Sequence, residues 1–519
     1  MAPKPRRGLW APRTFTLLNT AEPQATESEI TMFATWKKLM PTSLRLSFSA
    51  LVSVVVTLCG CAVGPAYREP EPAVPATWHA ARPDVGTIAS MADWWRQFDD
   101  PTLGTLISLA ESASPTLDKA WANIQKARAT LTTAQADGLP SLTAQGSATR
   151  ARQQAADGRM GVTTSRSGSL DASWEIDLFG KVRRNAEAAQ ARIEARVDDW
   201  HDARVSLAAE VADTYVQYRG CELLADAYGC ELDSLRETDK ATARLVQAGF
   251  SASADGSLAR ASVASTWSTL INQRAQCDLL VKSLVALTGD DETDLRVRLT
   301  GTPGHVPQPA SIEVPSVPAE ALRQRPDLAS SERELAATSA EIGAAQADRY
   351  PSLSLSGLIT VAATTSAVTT WSFGPSLSLP LLDGGRRRAA VDSARAVYAA
   401  AEADYRQNVR QAVKEVEQAL VNLDSAARRS VQAELAAQEY RRYFEATEQN
   451  WRAGGVSLLT LEEARRSALT AQIESIGLQR DRVEYWIALY KALGGGWQPG
   501  TPVTPATSGQ SQDKQGEVQ

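Results

Sequence analysis

The sequence predicts an α+β membrane protein with four strands per chain, each strand pair running straight into a very long helix. The first observation is the stretch Ser372 to Tyr405, where Leu377, Leu379 and Leu381 alternate with Ser376 and Ser378 to give one apolar and one hydroxyl-bearing face. Asp383, Gly384 and Gly385 break that alternation, and from Arg386 an alanine-rich pattern with helical spacing takes over. The second observation is another copy of this junction. Leu170, Ala172, Trp174, Ile176 and Leu178 alternate with Ser169, Asp171, Ser173, Glu175 and Asp177 before Gly180 opens a helix. The third is that no run of about 18 apolar residues offers a membrane-spanning helix, so any crossing of a bilayer falls to the strands.

The duplication extends along the chain. Pro115 and Pro326, like Pro140 and Pro351, stand 211 positions apart. Gly180 and Gly384 stand 204 apart, which places a loss of seven positions in the loop between paired strands, where length changes at little cost. Further on, Gly249 and Gly454, Ala259-Arg260 and Ala464-Arg465, and Gly289 and Gly494 are separated by 205. Two tandem repeats follow, residues 102–299 and 319–497, each reading helix, strand, loop, strand, long helix, tight turn, return helix. A proline-rich linker, 300–318, joins them.

Abundant alanine with only 6% aromatic residues suits long helices packed closely side by side. The net charge is −6, and −10 once the first 60 residues, with seven basic and three acidic side chains, are set aside. That balance excludes a nucleic-acid partner, which needs a clustered basic surface. Residues 1–60 read as a leader removed on maturation. Translation can start at Met1, Met32 or Met40; Lys37, Lys38 and Arg45 then precede the apolar run Leu46 to Leu58, too short to span a bilayer and suited to a signal. The run ends in Leu58-Cys59-Gly60-Cys61, which resembles a bacterial lipoprotein box with Cys61 lipidated; an ordinary secretory signal with an incidental cysteine is the other reading. Ala62 after that cysteine favours the outer membrane. Residues 61–101, with Trp78, Trp94, Trp95 and Phe98, form a lipidated N-terminal arm, and 498–519 a disordered polar tail. Cys221, Cys230 and Cys277 are read as buried free thiols; the alternative, a Cys221–Cys230 disulfide, requires a break in the helix, since nine residues of helix set the two too far apart to pair. The three histidines show no metal spacing, and no metal or other cofactor is expected.

In coarse outline the first repeat holds a helix over 102–137, strands near 141–149 and 168–178, a helix of roughly 100 Å over 181–248 and a return helix over 255–288. The strands have the length and alternation of tilted membrane strands, and Trp174, Phe179, Tyr350, Trp371 and Phe373 sit near their ends, where an aromatic girdle belongs. An ordinary half-buried sheet also alternates. Four strands cannot close a barrel, and open edges are not tolerated in lipid, so a membrane sheet of this kind must oligomerise. Two copies give eight strands and a filled interior; three give twelve and room for a lumen.

The motifs CAVGPAYREP from Cys61, WWRQFDDPTL from Trp94, LRQRPDLASSERELAATSAEIGAAQADRYPSLSLSG from Leu322 and YKALGGGW from Tyr490 cover nearly all of the mature chain. By them the chain resembles the TolC-like outer-membrane factors of tripartite efflux systems, in the lipoprotein subgroup named after nodulation protein T. The resemblance implies a homotrimer forming a 12-stranded β-barrel, four strands per protomer, continued by a long periplasmic α-helical barrel. It also implies a periplasmic adaptor, or membrane fusion protein, and an inner-membrane RND-type transporter as partners. It places an apolar and an acidic residue at the second hairpin tip, facing the lumen; Leu459 and Glu463 match, with Glu463 standing where the family commonly has aspartate and Glu462 as a further candidate. The bare alternative is a solvated helix face of exposed charge pairs. Gly249, Gly454 and Gly455 are expected to permit the hairpin turns that contact the adaptor, and Gly180, Gly384 and Gly385 the strand-to-helix turns.

The expected function is a passive duct conducting drugs or other small toxic compounds to the exterior, closed at rest. Ducts for metal efflux or type I protein secretion share the architecture. A non-conducting trimeric spacer lipoprotein is the structural alternative, though a spacer needs no alternating strand pairs. No nucleophile, acid pair or nucleotide loop stands out, so no enzymatic activity is expected.

Overall fold

The computed structural model describes residues 62–71, 74–80, 91–154, 158–301, 304–308, 322–364 and 366–503; the leader, Cys61 and the last sixteen residues lie outside the described residues. A 3₁₀ turn at Met91–Phe98 leads into α1 (Pro101–Ala113), α2 (Pro115–Ala136), β1 (Ser141–Gln154), β2 (Met160–Ile176), α3 (Lys181–Gln247), α4 (Ser253–Thr288) and α5 (Glu292–Leu299). The chain continues as α6 (Pro326–Ala347), β3 (Ser352–Ala363), β4 (Ala367–Ser378), α7 (Arg386–Arg452) and α8 (Leu458–Ala492).

The expected single helix over 102–137 is two. Pro115 disfavours helical geometry at Ser114, which is extended at φ −73, ψ 113; its hydroxyl then caps α2 by accepting from Leu117 N at 3.3 Å. α5 is an addition to the expected order, lying between the stretches read as return helix, 255–288, and linker, 300–318. α2 and α6 are both 22 residues long, and α3 and α7 both 67. Lys181 and Arg386 open the long helices, so Gly180 corresponds to Gly385 rather than to Gly384, and six positions are lost rather than seven. Both glycines occupy the N-cap in the left-handed region, at φ 83 and 89. Asp383 secures the second junction, accepting from Gly385 N at 2.9 Å and Arg387 N at 3.2 Å.

The sheet is an antiparallel meander in the order β1-β2-β3-β4, leaving β1 and β4 as edges. Its register stacks like on like. Rows such as Ala144, Leu170, Ile359 and Trp371, or Trp174, Leu355 and Pro375, fall on one face. Ser147 and Ser167, with hydroxyls 2.8 Å apart, and Thr360 with Thr370 fall on the other. The apolar face is bare in one chain, with Trp371 77% and Phe373 70% exposed. These two aromatics lie mid-strand, not near the strand ends as expected. Phe179 and Tyr350 do gather beside the helices, stacked at 4.7 Å, and Trp174 Nε1 donates to Gly138 O at 2.9 Å.

No described helix is long and apolar enough to cross a membrane. Around α3 and α7 the shorter helices form a wall one layer thick, in the order α2-α3-α6-α7 next to the sheet and α4-α3-α8-α7 toward the hairpins. The main core lies between these levels, where α1, α2 and α4 meet α3 and α8 around Leu103, Ile107, Tyr215, Val281 and Trp486. Tyr215 donates to Asp100 at 2.6 Å, while Asp100 caps α1 through Thr102 N at 2.9 Å. Gly494, at φ 85, lies against Gln324, whose carbonyl would be 1.9 Å from any Cβ; no other residue fits there. Arg325 caps the end of α8 through Ala492 O at 2.9 Å and pairs with Glu415 at 2.9 Å. The described part of the arm starts at the strand-to-helix junction, where Val63 N donates to Phe179 O at 3.2 Å, and continues along α6, where Tyr67 donates to Glu332. His201 Nε2 lies 3.0 Å from Thr501 O, so the first residues of the tail are seated on α3 rather than disordered.

The thiols depart from expectation. Cys221 and Cys277 form a disulfide joining α3 to α4, with Cα atoms 5.6 Å apart, and Cys230 is free and exposed. Pairing within one helix is geometrically excluded, but the antiparallel return of α4 lays Cys277 beside Cys221. In a chain-entropy account, closing this 56-residue separation stabilises the fold by about 4 kcal/mol. The combined Cys221→Ser, Cys277→Ser variant should lose about 2–4 kcal/mol in guanidinium unfolding of the oxidised protein. Coincident transitions would mean that packing alone holds the first hairpin.

Candidate functional site at the helix hairpins

Both hairpins end in the same backbone device. At the first, Gly249 N donates to Val246 O at 3.1 Å and Phe250 N to Leu245 O at 2.8 Å; at the second, Gly454 N donates to Trp451 O at 2.9 Å and Gly455 N to Asn450 O at 2.8 Å. This double closure requires the left-handed region at one position, filled by Gly249 at φ 79 and Gly454 at φ 78. Gly455 has no positive φ, and Phe250 occupies its place in the first hairpin, so a glycine is not needed there for the turn. Ser457 opens α8 by accepting from Thr460 N at 3.1 Å.

The start of α8 divides its side chains sharply. Leu458 and Leu461 turn inward and pack with Ala259 of α4, with Phe444 and Trp451 against them. Leu459 and Glu463 share the opposite face one turn apart, Leu459 being 55% exposed and Glu463 exposed. The corresponding positions of the first hairpin, 205 residues earlier, carry Ala254 and Leu258, so that hairpin offers no such carboxylate. Glu462 does not join Glu463. It turns toward Arg465, to which it is ion-paired, and its side chain is only 12% exposed.

Arg465 is the residue that reading the sequence missed. Its charge run suggested a solvated face, yet it is 1% exposed, donates to Thr238 Oγ1 of α3 at 2.7 Å and stands over the Phe444 ring at 5.3 Å. Glu231 of α3 comes within 3.9 Å of Arg465 Nε, which has no hydrogen-bond partner. Burial pushes the Glu231 carboxyl up to about 7; Arg465 opposes the rise and Glu462 adds to it. The network ties the second hairpin to the first through one buried cation. Helical spacing alone could have flagged Arg465, since it falls in line with Leu458 and Leu461 on the buried face. Among the described residues no group of His, Cys, Asp and Glu is placed to hold a metal ion.

Residues 106–290 and 317–495 both match the family model described as outer membrane efflux protein. The chain belongs to that family. It is accordingly an outer-membrane efflux channel, and its relatives are channels rather than enzymes. It is 31% identical to nodulation protein T of Rhizobium leguminosarum bv. trifolii, across 85% of this chain and 96% of that one. It is 30% identical to outer membrane protein OprJ of Pseudomonas aeruginosa, across 89% and 98%. Among solved structures, the outer-membrane channel OprN superposes with a TM-score of 0.77 at 32% identity, covering 85% of this chain and all of that one. The CmeC outer membrane channel of Campylobacter jejuni, at 24% identity and a TM-score of 0.78, shares the fold, across 85% and 96%.

Glu231 gives the hairpins a pH dependence of defined sign. Its native pKa lies above the ordinary carboxylate value, so the folded state holds the extra proton between about 4.5 and about 7, and stability falls as pH rises through that window. Amide exchange at the ends of α3 and α8, corrected for intrinsic rates, should show more protection at pH 6 than at pH 8. Glu231→Gln should remove most of the difference. An unchanged difference would assign the pH dependence to other groups.

Proposed function

We propose that this protein is the passive outer-membrane duct of a tripartite efflux pump, drawing no energy of its own. Three copies close a 12-stranded barrel by joining β4 of one protomer to β1 of the next, and the helical walls join likewise through α7 and the exposed faces of α2 and α4. The observation that carries this reading is the coincidence of open edges: β1 and β4 are unpaired, and the flanking helices expose Val421, Val431 and Leu435 on α7 and Ile271 and Leu279 on α4. The hydroxyl face of the sheet lines the lumen and the apolar face meets lipid. Cys61 carries the lipid anchor. The attachment of Val63, two residues after Cys61, to Phe179 at the strand-to-helix junction supports this, since that level is the membrane surface nearest the periplasm.

The hairpins point into the periplasm, where the turns at Gly249 and Gly454 meet a periplasmic adaptor and, through it, an RND-type inner-membrane transporter. Three copies of Leu459 and Glu463 form the aperture. A ring of leucines blocks passage sterically or by dewetting, and a ring of carboxylates selects for cations. Glu462 has a different part, holding Arg465. Relatives named as antibiotic and toluene efflux pump proteins of Pseudomonas putida support drugs and small apolar toxicants as cargo.

Planar-bilayer recordings test this reading. The unmodified trimer should conduct weakly, and Leu459→Ala and Glu463→Ala should raise conductance roughly two-fold or more. Silence in every variant, with inserted trimers present, would favour a structural spacer over a duct.

A further inference from the structure

The four strands contain only three basic residues, Arg150 and Arg152 on β1 and Arg166 on β2. The register places all three on the apolar face and at the same end of it. Arg166 stands opposite Ala148 and Ala363, Arg150 opposite Thr164, and Arg152 opposite Val162. The acidic residues of the sheet, Asp171 and Glu175, lie on the other face. All three guanidinium groups are exposed, and none has an ion-pair partner among the described residues. An arginine on a lipid-facing surface is unfavourable in hydrocarbon and becomes tolerable only toward the interface. These three therefore mark a boundary.

Their height agrees with that. From the row of Leu353 and Leu377, next to the helices, to the row of Ala363 and Arg166 is ten residues along β3. At about 3.4 Å per residue and a tilt of about 40°, the rise is roughly 26 Å, against an apolar band of about 25 Å. Between those rows the outward face holds Leu355, Ile359, Val361, Leu170, Ala172, Trp371 and Phe373 and no charge. Arg166 thus sits at the far edge of the hydrocarbon. Arg150 and Arg152 stand one and two rows beyond it, on the part of the β1-β2 hairpin that outreaches β3 and β4. Arg150 and Arg166 are diagonal neighbours, a spacing that long side chains bridge.

We propose that Arg150, Arg152 and Arg166 form a clamp for the phosphate groups of a phosphorylated lipid in the outer leaflet. The inference rests on the barrel reading above and goes beyond it. Guanidinium groups bind phosphate through paired N–H donors, and a lipid whose chains lie along Trp371 and Phe373 brings its headgroup phosphates to this level. The uncharged wall below the arginines selects a lipid over a free anion, because it is covered only by acyl chains. Each protomer carries one clamp, on the strands next to its junction with the preceding protomer.

Native mass spectrometry of the full-length trimer, titrated with diphosphorylated lipid A, tests the clamp. The variant combining Arg150→Gln, Arg152→Gln and Arg166→Gln should bind about ten-fold more weakly, and removing the phosphates from the probe should cost the unmodified protein about as much. Arg388→Gln, at the helix end of the strands, should bind as the unmodified protein does. Equal affinity in the triple variant would overturn the clamp. Displacement by inorganic phosphate as effective as that by the lipid would overturn the assignment to lipid. Insertion into liposomes separates the two levels: failure of the unmodified protein to insert defeats barrel and clamp together, whereas insertion of both proteins with equal lipid affinity defeats the clamp alone.

Discussion

A strand edge in hydrocarbon has no water to receive its N–H and C=O groups, and this constraint governs the whole chain. The sheet of one protomer ends in two such edges, β1 and β4. Among the described residues nothing covers them. The helical wall repeats the situation at every level, since α7 on one side and α2 or α4 on the other have a neighbour only within the protomer. In the proposed trimer one chain is thus a segment of a closed surface. Alanine at buried positions such as Ala188, Ala212, Ala412 and Ala464 keeps that surface thin, because helices with small contact residues approach closely enough to form a single curved layer.

Within that segment the two halves are built alike and fastened differently. Both long helices start from a left-handed glycine and end in the same double-hydrogen-bonded turn. The first hairpin is then closed covalently by Cys221 and Cys277, whereas the second carries Ala426 and Arg482 at those positions. The second hairpin is held to α3 by Arg465, Glu462, Glu231 and Thr238, a set that can come apart and re-form. A buried cation with carboxylates on two helices is costly to leave half-paired, so its two states are sharply distinct. The exposed pair Leu459 and Glu463 belongs to the hairpin with the reversible fastening.

Much of this was legible in the sequence, and the limits were physical. Alternation with period two exposed both faces of the sheet because neither face is buried within the chain, which leaves its pattern unusually clean. Glycine marked the turns because Gly180, Gly249, Gly385 and Gly454 all need the left-handed region. Register between helices was not legible. The disulfide depends on which turn of α4 meets Cys221, and the partners of Arg465 on what α3 presents to it; neither is encoded in spacing along one helix. The pairing of Gly180 with Gly384 failed for a related reason, since Gly384 and Gly385 both adopt positive φ and only the start of α7 tells them apart.

The motifs by which the chain resembles its family turn out to be joints, not the working surface. Asp100 in WWRQFDDPTL caps α1 and receives Tyr215; Arg325 in LRQRPDL caps α8 and pairs with Glu415; Gly494 in YKALGGGW fits only because Gln324 passes so close. Gly64 in the arm likewise lies on Gly343 of α6, where a Cβ would stand 2.4 Å from the Gly343 Cα. Such positions admit one residue type because backbone meets backbone there, and that makes them recognisable. In the proposed trimer a lumen-facing side chain such as Glu463 meets only water and its symmetry mates, so its neighbours constrain it little, and either acidic residue fits there. On the proposed reading, the residues that identify this architecture and those that tune the aperture are therefore separate sets: the first is fixed by contact, the second only by what passes through.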